Sequence, residues 1–347
     1  MTVTAKEILA GDVRAAARLM RDLDDEIPAA VRVLKSLYRH TGRAYILGVT
    51  GAPGSGKSTL VNRITSLLRK RGKTVGIVAI DPTSPYTGGA ILGDRIRMQQ
   101  HALDEGVFIR SLATRGHLGG LSRSTLDIVN VMDAMGKDVI LIETVGVGQD
   151  EVEIVKVAHT NIVVVVPGLG DDIQAIKAGI LEIADIFVVN KADREGADKT
   201  RREIETMISM GEYGEGEWKP PVLPTVAATD TGTAELLVEV ERHREYAFRE
   251  PHIARYRREK ARVELLEILK TRLIEKAVSD LESHGLLEPL LADLARKRKD
   301  PYSISEKVVD HSFALRLLGG RDKPPKKKEV LNLPRTPAAL CPATRVL

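Results

Sequence analysis

Apolar and polar residues alternate along this chain in a way that predicts helices first and a mixed domain after them. From Leu9 to Leu23 apolar side chains recur at helical spacing, and a second helical run continues up to Tyr38. Residues 1–42 are therefore predicted to form an N-terminal helical extension. Over residues 43–247 short apolar runs alternate with helical segments, which is typical of an α/β domain.

The short apolar runs predict seven strands. Residues 162–166 are a continuous run of β-branched residues, which indicates a strand buried on both faces. Such strands belong to largely parallel sheets that helices cover on both sides. The predicted strands are residues 44–49, 74–80, 106–110, 138–143, 161–166, 185–190 and 221–226. The predicted fold class is thus α/β, with a largely parallel sheet flanked by helices.

The C-terminal part of the chain is predicted to be helical and charged. Helical periodicity is strong over Ala261–Glu282, and residues 248–320 are predicted to form a C-terminal helical region. Residues 321–347 are rich in lysine and proline. We interpret this tail as a solvated, flexible extension, because it has too few apolar residues to form a core.

A glycine-rich loop joins the first predicted strand to a helix. Residues 51–59 match the complete phosphate-loop pattern G-x-x-x-x-G-K-[ST]. The glycines let backbone N–H groups turn toward one anion, and the helix N-terminus adds its dipole. Lys57 would reach the β- and γ-phosphates, and Ser58 would bind Mg²⁺. The predicted phosphate-binding residues are Gly51, Ala52, Pro53, Gly54, Ser55, Gly56, Lys57, Ser58 and Thr59.

A second motif, at the end of the sixth predicted strand, indicates which base is bound. Asn190, Lys191 and Asp193 form an N-K-x-D sequence that resembles the guanine-reading motif of GTPases. The Asp193 carboxylate can accept hydrogen bonds from N1–H and the 2-amino group of guanine. Adenine offers no such pair of donors and would leave the carboxylate unpaired. Lys191 would lie along the base, and Asn190 would tie this segment to the phosphate loop.

The third base-contacting segment is Val226, Ala227 and Ala228, which follow the last predicted strand. GTPases usually carry Ser-Ala here. Ala227 can still offer its backbone N–H to the guanine oxygen, but the serine is missing, which could loosen the binding of guanine.

The fourth predicted strand ends in a carboxylate. Glu143 and Gly146 form a Glu-x-x-Gly motif where small GTPases have Asp-x-x-Gly. Glu143 can hold the Mg²⁺ shell or the attacking water, and Gly146 can donate its N–H to the γ-phosphate. No glutamine follows Gly146 directly. Gln149 is the nearest amide, and its part in hydrolysis is left open.

Two long polar segments follow other strands. Asp81–Met98 contains the carboxylates Asp81 and Asp94, whose natural partner is a nucleotide-bound metal ion. Pro167–Gly179 places glycines around an acidic turn, which either is mobile or simply caps a helix. Long loops inside a compact domain are usually functional.

Composition excludes several other classes of protein. The net charge is only +4 and aromatic residues make up 3% of the chain, which argues against a nucleic-acid-binding face. The single cysteine, Cys341, leaves no disulfide framework and no thiolate metal site. The first ten residues lack the layout of a signal peptide, and no apolar run reaches membrane-spanning length. We expect a cytoplasmic protein with no nucleic-acid or membrane partner.

Together, the segments Glu143–Gln149, Asp81–Met98 and Pro167–Gly179 resemble the MeaB/ArgK branch of the SIMIBI-class P-loop GTPases, which includes the methylmalonic aciduria type A protein. The resemblance covers about residues 1–320. It implies a homodimer that hydrolyses GTP to GDP and phosphate. It also implies a chaperone of an adenosylcobalamin-dependent acyl-CoA mutase, of the methylmalonyl-CoA mutase type. Such a chaperone gates cobalamin loading and protects or reactivates the mutase.

The resemblance also implies roles for single residues. It makes Asp81–Met98 switch I, Glu143–Gln149 switch II and Pro167–Gly179 switch III. It also makes residues 248–320 the dimerisation region. Lys177 would be the lysine of switch III. The implied catalytic residues are Lys57, Asp94, Glu143 and Lys177. The implied Mg²⁺ residues are Ser58, Asp81, Asp94 and Glu143.

Three alternatives remain at this point. Metal-insertion GTPases of the same class carry histidine-rich tracts or clustered cysteines, and this chain has no histidine run and no cysteine pair. A protein kinase or phosphotransferase is disfavoured by the N-K-x-D motif, and no acceptor-binding element is recognisable. A structural protein whose nucleotide only locks a dimer would lack turnover.

Overall fold

The structure is a computed structural model that describes residues 3–81, 99–101, 103–113, 123–144, 157–168 and 183–317. It contains two compact units, residues 1–266 and 267–347. Asp94, Gly146, Gln149, Lys177 and the predicted tail lie outside the described residues, as do most of the Asp81–Met98 and Pro167–Gly179 segments.

A seven-stranded parallel sheet forms the centre of the first unit. The strand order is β3-β2-β4-β1-β5-β6-β7, and every pair of neighbours is parallel. Each strand overlaps its predicted range, so the predicted α/β fold class is confirmed. The strands are β1 (Tyr45–Thr50), β2 (Val75–Asp81), β3 (Val107–Ala113), β4 (Val139–Glu143), β5 (Thr160–Val165), β6 (Ile186–Asn190) and β7 (Val222–Thr225).

Helices cover both faces of this sheet. The helices of the first unit are α1 (Ala5–Leu9), α2 (Val13–Asp24), α3 (Pro28–Leu37), α4 (Lys57–Lys70), α5 (Arg123–Ala134), α6 (Ala197–Ser209) and α7 (Thr233–Ala247). Short 3₁₀ turns lie at Tyr38–His40, Gln99–His101 and Ala227–Thr229. Helix α8 (His252–Ser283) begins in the first unit, and α9 (Leu287–Ala295) and α10 (Pro301–Leu317) belong to the second.

Alternation along the strands divides the core between the two faces. Ile46 of β1 packs with α1, α2, α3 and α5, whereas Leu47 packs with α4 and α7. In the same way Phe187 of β6 joins a cluster with α6, and Val188 joins the cluster of α4 and α7. Side chains alternate across a strand, so a strand between two helical layers must be apolar at every position.

The N-terminal extension has three helices where the sequence predicted a pair. The additional helix, α1, has only five residues and begins with a capping box between Thr4 and Glu7. Leu19 and Met20 of α2 are fully buried in the core that includes α5. On α5, the buried carboxylate of Asp133 accepts backbone hydrogen bonds from residues 42–44, just before β1. This carboxylate fixes the entry of the chain into the sheet.

Candidate nucleotide-binding site

The carboxyl ends of three strands bring the sequence motifs to one edge of the sheet. The glycine-rich loop follows β1, Glu143 is the last residue of β4, and Asn190 is the last residue of β6. Because these strands are parallel, their carboxyl ends meet at the same edge. Ligands of open α/β sheets bind at this edge.

Two glycines of the phosphate loop lie where no side chain fits. Gly51 has a φ of +140°, and a Cβ there would overlap the carbonyl oxygen of Val164 on β5. Gly56 has a φ of +93°, and a Cβ there would overlap the side-chain amide of Asn190. Both positions therefore require glycine for conformation and for space. Helix α4 begins directly after Gly56, so its N-terminal N–H groups face the loop.

The lysine of the loop is held inside it. The Nζ atom of Lys57 donates to the carbonyl oxygens of Gly51 at 2.6 Å and Ala52 at 3.0 Å. Lys57 is buried, with 6% of its surface exposed. Of the other loop residues, Ser55 and Ser58 are buried, whereas Pro53, Gly54 and Thr59 are exposed. The loop thus places a buried ammonium beside exposed backbone.

The structure brings two of the predicted Mg²⁺ residues into contact. The Oγ atom of Ser58 donates to the Oε1 atom of Glu143 at 2.6 Å, and both residues are buried. Asp81 ends β2, two residues after Ala79, the register partner of Glu143 on the neighbouring strand. A hydroxyl beside a carboxylate at the foot of a phosphate loop fits Mg²⁺, which prefers oxygen ligands.

Mg²⁺ would need ligands beyond these side chains. Among the residues that the structure describes, no group of three or more His, Cys, Asp or Glu could hold a metal ion. Mg²⁺ usually keeps several waters and takes phosphate oxygens in nucleotide sites. Ser58 and Glu143 are therefore suited to a nucleotide-bound ion and not to a dedicated protein cage.

The base side of the site is built around Asn190. Its Nδ2 atom donates to the carbonyl of Ser55 at 2.8 Å, which links β6 to the phosphate loop. Its Oδ1 atom accepts from the Thr225 hydroxyl and from the Ala227 N–H, each at 3.1 Å. One buried amide therefore joins the phosphate loop, the N-K-x-D motif and the third base-contacting segment.

Lys191 and Asp193 extend this arrangement toward solvent. Lys191 has a left-handed φ of +57°, and its Nζ atom donates to the carbonyl of Gly54 at 2.7 Å. Asp193 is exposed. The Asp193 carboxylate lies two residues from this hydrogen-bonded lysine and is accessible to a ligand that arrives from solvent.

Arg63 belongs to this site, and the sequence motifs did not identify it. Its Nε atom donates to the Ala227 carbonyl at 2.9 Å, and its Nη2 atom donates to the Ala228 carbonyl at 2.7 Å. Arg63 lies on α4, 6 residues after Lys57. No local motif marks Arg63, because its partners Ala227 and Ala228 lie 164 and 165 positions away in the sequence.

The fold and this site define a P-loop nucleoside triphosphatase with a guanine-type base motif. A family model described as methylmalonyl Co-A mutase-associated GTPase MeaB matches residues 16–282. The chain belongs to this family of GTPases.

Two relatives agree with this family. A protein from Pyrococcus abyssi that carries the name GTPase is 48% identical over 301 residues, which cover 86% of this chain and 93% of the relative. The mitochondrial methylmalonic aciduria type A homolog of Mus musculus is 35% identical over 55% of this chain and 46% of that protein.

A crystal structure of a LAO/AO transport system kinase has the same fold, with a TM-score of 0.66, 22% identity, and coverage of 88% of this chain and 95% of that one. In the described part of the chain, no helix is both long and apolar enough to cross a membrane.

Proposed function

We propose that this GTPase is a cytoplasmic G-protein chaperone of an adenosylcobalamin-dependent acyl-CoA mutase, of the methylmalonyl-CoA mutase type. Its nucleotide state would gate the loading of cobalamin and protect or reactivate the mutase. The observation that carries the proposal is the family match over residues 16–282, whose description names association with methylmalonyl-CoA mutase. The contact between Ser58 and Glu143 supports a nucleotide and metal site of the kind that such a GTPase needs.

In this proposal the phosphate loop binds GTP through its backbone N–H groups and the N-terminus of α4. Lys57 lies at the start of α4, beside the loop carbonyls, from which it would move to the γ-phosphate oxygens. Its charge would stabilise the negative charge that develops during hydrolysis. Bound Mg²⁺ would neutralise phosphate charge. The chain would supply Ser58 and Glu143 to hold the ion, with Asp81 and Asp94 as further ligands.

Base selection would depend on Asp193, with Lys191 along the base and Asn190 holding the surrounding loops. The Asn190 contacts to Ser55 and Ala227 support this assignment, because they couple the base segment to the phosphate segment. Gly146 of the Glu-x-x-Gly motif would donate to the γ-phosphate. Lys177 would add charge at the transition state, an assignment that rests on the family resemblance.

Homodimerisation is the further part of the proposal. Helix α8 exposes a series of large apolar side chains, and monomeric proteins rarely expose such a run. These residues are Leu265, Leu266, Ile268, Leu269, Leu273, Ile274 and Val278. A second copy of the chain offers an identical apolar series, so a two-fold contact would bury both at once.

The experiment that tests the proposal is a steady-state GTPase assay with purified adenosylcobalamin-dependent mutase as the titrant. We expect the mutase to raise GTP turnover at least about tenfold, since GTPases without a supplied charge are slow on their own. Lys177→Ala should lose the stimulation but keep nucleotide affinity. Stimulation by no acyl-CoA mutase would contradict the chaperone role. Transfer of labelled γ-phosphate to a protein, with none released, would instead favour a kinase.

A further inference from the structure

The third base-contacting segment is held in place without the serine that GTPases usually carry there. Two side chains hold it instead. Asn190 accepts the Ala227 N–H from one direction. From α4, the guanidinium of Arg63 donates to the carbonyls of Ala227 and Ala228. Because a guanidinium is a planar fork, two bonds to successive carbonyls fix the orientation of both peptide groups.

Peptide geometry then fixes where the next N–H points. The Ala227 carbonyl and the Ala228 N–H belong to the same peptide plane, and in a trans peptide they point in opposite directions. Since Arg63 binds the carbonyl, the Ala228 N–H points away from Arg63. The N–H of Ala227 is already donated to Asn190 at 3.1 Å. The direction of the Ala228 N–H is therefore set by Arg63, and Asn190 does not accept a hydrogen bond from it.

Charge supports the same arrangement. Ala227–Thr229 form a single 3₁₀ turn, and Arg63 lies on the carbonyl side of that turn. A cation beside helical carbonyls polarises the peptide groups and makes the opposite N–H groups better donors. Arg63 also lies on the helix that begins with Lys57, so the base segment is tied to the phosphate loop through α4.

We propose that Arg63 is a positioning residue for base selection, which directs the Ala228 N–H toward the O6 atom of guanine. The inference deepens the proposed guanine site and rests on it. It replaces Ala227 by Ala228 as the donor, and it explains how a segment without the usual serine can select guanine.

The test is a comparison of two nucleotides that differ at one atom. 6-Thio-GDP keeps N1–H and the 2-amino group of GDP but carries sulfur, a weaker acceptor, in place of O6. For the full-length chain with Mg²⁺, we expect Arg63→Ala to weaken GDP binding about tenfold, which corresponds to about 1.4 kcal/mol. The affinity for 6-thio-GDP should fall by no more than about twofold, since the hydrogen bond to O6 is already weak there.

Two further variants separate positioning from general damage. Arg63→Lys keeps the charge but cannot bind two carbonyls as a fork, so it should fall between wild type and Arg63→Ala. Arg69 lies on the same helix and pairs with Asp104 at 2.8 Å, so Arg69→Ala is the matched control and should leave the ratio of the two affinities unchanged.

An equal loss of both affinities in Arg63→Ala would overturn the inference while leaving the guanine site intact. Should Arg63→Ala fail to fold, the same ratio measured for Arg63→Lys decides. A wild-type protein that binds ADP as tightly as GDP would instead contradict the guanine site itself.

Discussion

Helices α4 and α8 use their apolar residues in opposite ways. Helix α4 has 14 residues, of which eight are buried, including the polar Lys57 and Ser58 at its start. Helix α8 has 32 residues, all within the described part of the chain, and of these Ile253 alone is buried. Isolated helices are marginal in water, and most helical stability in proteins comes from packing of an apolar face. The first helix satisfies that requirement within the chain, whereas the second would satisfy it only in the proposed dimer.

The two helices also differ in what their ends do. The N-terminus of α4 meets the phosphate loop, and its side chains reach the base segment. The first turns of α8 are anchored instead to the opposite, amino edge of the sheet, where Tyr256 donates to the carbonyl of Val157 and packs against the His159 ring at 4.1 Å. The proposed chemistry thus involves the buried helix, and the proposed dimer contact involves the exposed one.

The largest expected effect is on the rate of GTP hydrolysis, in which α4 takes part through Lys57 in the proposed function. Lys57→Ala removes the charge that would lie on the developing γ-phosphate, so GTP hydrolysis should fall by roughly 10²–10³-fold. A single-turnover GTPase assay measures this. Its control is Lys70→Ala at the other end of α4, which should keep wild-type turnover. Hydrolysis by Lys57→Ala within a few-fold of wild type would remove Lys57 from the site.

The next effect tests base recognition beside the same helix. Asp193→Asn replaces an acceptor by a group that can also donate, and xanthine offers an oxygen where guanine has its 2-amino group. GTP affinity should fall about 100-fold, because two hydrogen bonds to a charged group are lost, and xanthosine triphosphate should become the better ligand. Competition binding measures both, and an unchanged preference for GTP would contradict the base-reading role. Asp198→Asn, exposed on the next helix, is the control.

The fold was predictable because the five strands inside the sheet, β2, β4, β1, β5 and β6, are buried on both faces. Such strands are continuous apolar runs, and all seven were located within three residues of their observed ends. Helix α1 was not predicted, because five residues are too few to show a helical period. The predicted domain boundary at residues 247 and 248 stays a prediction, whereas the observed division falls at residues 266 and 267, inside α8.

The site was predictable only where a local motif carries it. The phosphate loop and the N-K-x-D sequence are each a continuous stretch of residues, so each can be recognised in the sequence. The structure places Gly56 of the first against Asn190 of the second. Arg63 was missed because its contact with Ala227 spans 164 positions and depends on how α4 packs beside the base segment. Side-chain contacts between elements far apart in sequence follow from packing, which no local pattern encodes.

A smaller effect sharpens the role of α8 in association. Leu269→Gln places an amide in the exposed apolar series of both copies. Leu269 is 42% exposed, so each copy would lose about 1 kcal/mol of burial, and the dimer dissociation constant should rise about 30-fold. Sedimentation equilibrium measures this. Arg272→Gln, an exposed polar position on the same helix, should leave it unchanged. A wild-type chain that is monomeric at high concentration would contradict the proposed dimer.

The smallest effect concerns the anchor of α8 on the sheet. Burial, with the nearby charges of Lys260 and Arg244, lowers the pKa of His159 to about 3. The Nδ1 atom of the neutral ring accepts the Ile46 N–H at 3.0 Å. In the unfolded chain histidine titrates near 6.5, so below that pH the unfolded state binds a proton that the folded state does not. The contribution of this histidine to stability is therefore full above about pH 6.5 and is lost as the pH falls.

From this single group, the free energy of unfolding should drop by about 1.4 kcal/mol between pH 7.5 and pH 5.5. Chemical denaturation at the two pH values measures the drop. His159→Asn can still accept the Ile46 N–H but does not titrate, so its drop should be smaller than that of wild type by about the same amount. His284→Asn, at an exposed position, should behave as wild type. A His159→Asn profile parallel to wild type would show that His159 is protonated in the folded protein, and that the anchor of α8 is open to water.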